Sequence, residues 1–188
     1  MRVCDYVIKF LEDKGVKDIF LLTGGGAMYL NNALTKTKMN VICMQHEQTM
    51  AMAVEAYAKA NNDFAVGIVT SGPGSSNCLT GLIGAWLDSV PCLFISGQAN
   101  DSITHTRQTG VQAINIVEIV KSVTKYSCLI TDPKETLAHL EKAWSKSKEG
   151  RPGPSWLDIP LNVQNSNYSR QGNKNCRGNR GIDCFCNV

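Results

Sequence analysis

Short apolar runs alternate with amphipathic stretches along the chain up to Pro160, and that alternation leaves few folds open. Val3, Tyr6, Val7, Phe10 and Leu11 recur at helical spacing, and Gly15 stops that helix. "KDIFLL" predicts a buried strand, and "GGG" leads from it into a helix carrying Met28, Leu30 and Leu34. "NVICM" predicts a second buried strand, and "MQHEQTMAMAVEAYAK" its helix. "DFAVGIVT" predicts a third strand, followed by "SGPGSSN" and a helix through Trp86 and Leu87. "PCLFISG" is a fourth, and residues 100–122 turn from polar to amphipathic. "KYSCLI" predicts a fifth strand, "DPKETLAHLEKAWSKSKE" a capped helix and "GPSWLDIP" a sixth strand. Apolar strands alternating with helices predict an α/β fold: a doubly wound, mostly parallel six-stranded sheet with helices on both faces.

In such sheets ligands bind beyond the carboxyl ends of the strands. Three features fall at those ends: "TGGG" after the first strand, "HE" after the second and "TSGPG" after the third. "TSGPGSSN" is not a nucleotide P-loop, because no Gly-Lys-Ser/Thr follows. As a dinucleotide fingerprint it fails at Asn77, where the third glycine belongs, and no clear acidic residue ends the next strand. A nucleotide-binding dehydrogenase is therefore disfavoured. On the residues alone the stretch is either a tight strand-to-helix turn or a loop whose amides meet a ligand. Three consecutive glycines carry an entropic cost, most easily explained if backbone passes close to something. Glu47 in a first helical turn complements the macrodipole by ~0.3–1 kcal/mol, which by itself accounts for a carboxylate there. His46 reads as a partly buried, hydrogen-bonded histidine, His105, Thr106 and Arg107 as loop residues, and His139 as structural.

Composition narrows the class. The 188 residues are 43% hydrophobic and 19% charged, enough for the core of one domain. No run approaches the ~20 apolar residues that span a bilayer, so no membrane partner is expected. The charged, uncleavable-looking N-terminus is not read as a signal peptide. The net charge of +3 belongs to residues 164–188, where Arg170, Lys174, Arg177 and Arg180 face Asp183 alone. A folded part balanced in charge gives no nucleic-acid face. Cys4, Cys43, Cys78, Cys92 and Cys128 stand singly in apolar patterns, which predicts reduced thiols and a cytoplasmic chain. Residues 1–164 form the expected domain, and the Asn-, Gly- and Arg-rich residues 165–188 a disordered tail. Cys176, Cys184 and Cys186 lack a matching fourth ligand, so no metal is assigned.

Taken together, "DIFLLTGGGAM", "QHEQTMAMAVEAYAK", "VTSGPGSSNCLTGLIGAWLDSVPCLFISGQ" and "GRPGPSWLDIPLNVQ" resemble the N-terminal pyrimidine-binding domain of thiamine-diphosphate-dependent enzymes, in the acetolactate synthase branch. The likeness runs from residue 1 to about residue 164 with the motifs in the family's order. It implies that Glu47 hydrogen-bonds N1′ of the cofactor's aminopyrimidine and holds a proton there. A dry strand-to-helix junction suits that purpose, because burial disfavours the charged carboxylate. Gly24 and Gly25 match the glycine turn near the cofactor, and Thr70, Pro73 and Asn77 match residues lining the pyrimidine pocket. Gln112, in "TGVQAIN", resembles a glutamine on the substrate side, so Glu47 and Gln112 are the implied catalytic residues.

The chain also departs from the synthases. Leu22-Thr23 stand where they usually carry Tyr-Pro, Val111 where an aromatic residue precedes the glutamine, and Ala113 where an acidic residue follows it. These differences bear on the substrate, and acetolactate-synthase-like proteins of surface-polysaccharide gene clusters are similar too. The family's diphosphate-binding signature, Gly-Asp-Gly followed by Asn-Asn, has no match here. The resemblance thus implies thiamine diphosphate held by its pyrimidine end only, with magnesium supplied by a partner diphosphate-binding domain. Flavin, common in the synthase branch, has no support in these residues. The expected partners are further copies or a chain bearing the diphosphate-binding domain, and the expected substrate a small 2-keto acid. The implied function is half of a 2-keto-acid decarboxylase or carboligase, inactive by itself. The alternatives are the small subunit of a split 2-keto-acid decarboxylase, or a non-catalytic remnant that associates with an intact synthase.

Overall fold

The computed structural model describes residues 1–100 and 110–168, and the backbone of 185–186. Helix α1 (Val3–Asp13) leads to strand β1 (Asp18–Leu21), then the glycine turn, α2 (Met28–Leu34) and β2 (Asn40–Cys43). Next come α3 (Glu47–Asn61), β3 (Ala65–Val69), a short α4 (Pro73–Asn77), α5 (Leu79–Leu87) and β4 (Cys92–Gln98). The remainder is α6 (Ile116–Val120), β5 (Tyr126–Leu129), α7 (Thr136–Lys148), β6 (Pro154–Pro160), α8 (Leu161–Asn165) and β7 (Phe185–Cys186).

The strands pair in the order β2-β1-β3-β4-β6-β5-β7, and the first six are all parallel. Two cores form because alternate side chains of each strand point to opposite faces. Ile19, Leu21, Val66, Ile68, Leu93, Ile95, Leu157 and Ile159 meet α1, α2, α7 and α8. Phe20, Ala65, Val69, Phe94 and Trp156 meet α3, α5 and α6. The doubly wound architecture read from the sequence is the one observed. β3, β4 and β6 are buried at every position, as central strands covered on both sides require. β2 is different: it is an edge strand, and Asn40, Val41 and Cys43 are exposed, which corrects its reading as a buried strand.

The polar end holds two further differences. Residues 166–168 pair with the start of the chain: Val3 N donates to Ser166 O at 2.9 Å and Tyr168 N to Met1 O at 2.8 Å. The rings of Tyr6 and Tyr168 stack with centroids 4.0 Å apart. Packing thus runs to Tyr168, four residues past the expected boundary at 164. Of the remaining tail only Phe185–Cys186 is described, paired antiparallel with β5. The expected disorder and the tail-cysteine metal reading otherwise lie outside the described residues. Cys4, Cys43, Cys78 and Cys92 are free thiols, but Cys128 is disulfide-bonded. That corrects its reading as a lone reduced thiol. Burial in β5 explained the apolar context, but β5 also borders the strand drawn from the cysteine-bearing tail.

Candidate functional site

Thr70, one residue past β3, joins two of the three features at the sheet's carboxyl end. Its Oγ1 accepts from Gly26 N at 2.9 Å, and its carbonyl accepts from Ser75 Oγ at 2.9 Å. A β-carbon at Gly24 would collide with the Thr70 side chain, so the glycine turn can lie this close only without one. Gly25 is not explained that way, since among the described residues no atom beyond its chain neighbours lies within 4 Å of where its β-carbon would stand. The turn's carbonyls are also tied down: Gln164 Nε2 donates to Gly26 O at 2.7 Å and Asn31 Nδ2 to Gly24 O at 3.4 Å.

The second turn is set by Gly72, whose φ of +60° favours glycine, followed by Pro73 at the first position of α4. Gln112 packs its backbone against Gly72 and itself has φ of +57°, with an exposed side chain. The structure therefore places Gln112 beside the Pro73 turn. His105, Thr106 and Arg107 lie outside the described residues.

Glu47 opens α3. The preceding His46 is its N-cap, with Nδ1 accepting from Gln48 N at 3.1 Å, so His46 is an exposed cap and not a partly buried residue. Asn77 Nδ2, at the end of α4, donates to Glu47 Oε2 at 3.0 Å. The other oxygen, Oε1, would lie 3.3 Å from a β-carbon at Gly74, and accepts no hydrogen bond from the described residues. Glu47 is half-buried and its neighbours Gln45, His46 and Gln48 are exposed. The junction is not dry in this chain, because the strand leading into it is the exposed edge β2. His139 belongs to the opposite layer: its Nδ1 lies 2.6 Å from Tyr126 Oη, and burial lowers its pKa.

The residues expected at one site thus come together around two contacts. Thr70 binds the Gly24–Gly26 turn to the Pro73 turn, and Asn77 binds the Pro73 helix to Glu47. No group of three or more His, Cys, Asp or Glu among the described residues could hold a metal. A cofactor ring nitrogen fits the chemistry present, namely a carboxylate oxygen that no described residue donates to, beside Gly74 and the glycine turn. Residues that the sequence reading passed over are Asp158, Ser96, Gln98 and Gln164. Asp158 is sealed inside β6, where Ser96 Oγ donates to it at 2.6 Å and Gln98 Nε2 at 2.9 Å. Burial pushes its carboxyl pKa up to about 7 against those two donors. A charge inside the apolar "SWLDIP" strand was the available signal.

Known proteins give the arrangement a context. The family described as "Thiamine pyrophosphate enzyme, N-terminal TPP binding domain" matches residues 1–119. Acetolactate synthase 2, chloroplastic, of Nicotiana tabacum is 38% identical over 162 residues, covering 85% of this chain and 24% of its own length. Acetolactate synthase, chloroplastic, of Arabidopsis thaliana is 35% identical over 161 residues, covering 85% and 24%. Acetolactate synthase 2, chloroplastic, of Zea mays is 37% identical over 161 residues, covering 85% and 25%. The chain spans about a quarter of the length of these relatives.

Proposed function

This chain belongs to the thiamine pyrophosphate enzymes through their N-terminal binding domain, and on that premise we propose that it supplies the pyrimidine-binding half of a 2-keto-acid decarboxylase or carboligase site. The observation that carries the reading is the placing of Glu47. It stands at the start of α3, held by Asn77 through one oxygen and bonded by no described residue at the other. Glu47 would hold and exchange a proton at Oε1 with the aminopyrimidine when it is bound. Asn77 fixes the carboxylate's orientation at the N-terminus of α3. The Gly24–Gly25 turn, Thr70 and Pro73 bound the ring's place, and Gln112 faces the substrate side. When bound, thiamine diphosphate supplies the electron sink for decarboxylation.

The same reading requires a diphosphate-binding domain and its magnesium from residues other than these, in the same polypeptide or in another. Residues 1–168 are the proposed domain. The half-burial of Glu47 fits a site completed by a second surface. No described helix is long and apolar enough to cross a membrane.

The test is Glu47→Gln in an assembly containing a diphosphate-binding domain. General acid–base contributions run to ~10²–10⁴-fold, so a loss in that range is expected with 2-keto acid as substrate. Turnover within about tenfold of wild type would overturn the assignment.

A further inference from the structure

A line of buried polar contacts runs from the middle of the sheet to the candidate site. Trp156 Nε1 donates to Ser96 Oγ at 2.8 Å while its ring stacks on Phe94, and Ser96 Oγ donates to Asp158 Oδ1 at 2.6 Å. Asp158 Oδ2 accepts from Gln98 Nε2 at 2.9 Å. The same Gln98 amide nitrogen donates its second hydrogen to Ile114 O at 2.8 Å. Gln98 Oε1 accepts from Ala99 N at 2.9 Å, so its amide is fixed in direction. Two residues before Ile114 stands Gln112, pressed against Gly72 with both residues at positive φ.

Ser96, Gln98 and Asp158 are all about 1% exposed or less. A carboxyl group in such a place costs free energy that apolar packing would avoid. Its geometry explains what it gives in return. One carboxyl oxygen orients one Gln98 hydrogen, which leaves the other aimed at a carbonyl of the segment between β4 and α6. Without an acceptor at Asp158, only the Ala99 N and Ile114 O bonds would hold the Gln98 amide in that direction. Among the described residues, 110–116 bond internally through Ala113 N to Gly110 O at 3.0 Å and Ile116 N to Ile114 O at 3.0 Å.

We propose that Asp158 is a positioning residue for the candidate site, acting through the Gln98 amide to fix residues 110–114 and hence Gln112 against the Gly72 turn. The importance of Gln112 rests on the function proposed above. The strut itself does not, and its test needs neither cofactor nor partner.

The experiment is amide hydrogen exchange on the full 188-residue chain, comparing residues 110–116 with the β3 strand. Gln98→Met keeps the side chain's length and removes both donors. It is expected to speed exchange at 110–116 about tenfold while β3 keeps its protection. Asp158→Ala does the same, and Asp158→Asn restores protection, because a turned carboxamide still offers Gln98 an oxygen. Ser96→Ala removes the other donor to the same carboxyl group but no link to Ile114, so 110–116 stays protected. Should Asp158→Ala fail to fold, Gln98→Met decides. Unchanged exchange at 110–116 in folded Gln98→Met overturns the proposal. So does equal loosening by Ser96→Ala, which would mean that the network only stabilises the sheet.

Discussion

Two carboxyl groups stand near the same end of the sheet in opposite surroundings. Glu47 opens a helix behind an exposed edge strand, half-buried, with a side-chain hydrogen bond from Asn77. Asp158 sits inside β6, sealed, with donors from Ser96 and Gln98. Burial raises the Asp158 carboxyl pKa to about 7. A perturbed pKa often marks a functional group. Here the perturbed group is the one that no ligand can reach, while the group offered as catalytic lies open. The difference teaches that Glu47 needs another surface to become buried, whereas the environment of Asp158 is complete within the chain.

The largest expected effect separates the two in kinds. Glu47→Gln should remove ~10²–10⁴ of turnover in the assembled enzyme, as steady-state kinetics would show. In the chain alone it should leave stability within ~0.5 kcal/mol by urea unfolding, because the residue is peripheral to both cores. A substantially destabilised Glu47→Gln chain would break the contrast, since it would make Glu47 a structural carboxylate as well.

Next comes pH. The Asp158 carboxyl holds its proton more tightly folded, near 7, than unfolded, near the usual carboxylic value. Its contribution is therefore fully present at low pH and lost as pH rises through about 7. Between pH 8 and 5.5 it should add ~2 kcal/mol to folding stability. His139 runs the other way: burial lowers its pKa, so it withdraws stability as pH falls through the ordinary histidine value. The difference between wild type and Asp158→Asn isolates the Asp158 contribution. Equal pH dependence in both, by urea unfolding at the two pH values, would show that Asp158 does not titrate in this range.

The periodicity of the sequence carried most of the fold. Strands such as "DFAVGIVT" and "PCLFISG" are apolar because both faces are covered, and helices such as α1 show their stripe directly. What periodicity could not reveal is order across the sheet. Nothing local in "NVICM" distinguishes an edge strand from a central one, and β2 turned out to be the edge. The glycine turns and Glu47 were legible because each breaks a pattern at a strand end. Asp158 was visible as a charge in an apolar strand, but its partners Ser96 and Gln98 lie about sixty residues away and meet it only by strand pairing. The pairing of residues 166–168 with the N-terminus is equally non-local, so composition assigned them to the tail.

The smallest expected effect tests how the open carboxylate is held. Asn77→Ala removes the side-chain hydrogen bond that the described residues give Glu47. A hydrogen bond to a charged group contributes ~1.5–3 kcal/mol when sheltered from water. Glu47 is half-exposed, so water replaces much of the lost donor, and the stability change in the chain alone should stay below ~1 kcal/mol. Covered by a second surface, the same bond is sheltered, and the loss should then grow. Asn77→Ala should accordingly affect turnover of the assembled enzyme more than stability of the chain, in contrast to any variant at Asp158. Equal small losses in both measurements would mean that Glu47 stays hydrated in the assembly. The half-burial seen here would then be its working state.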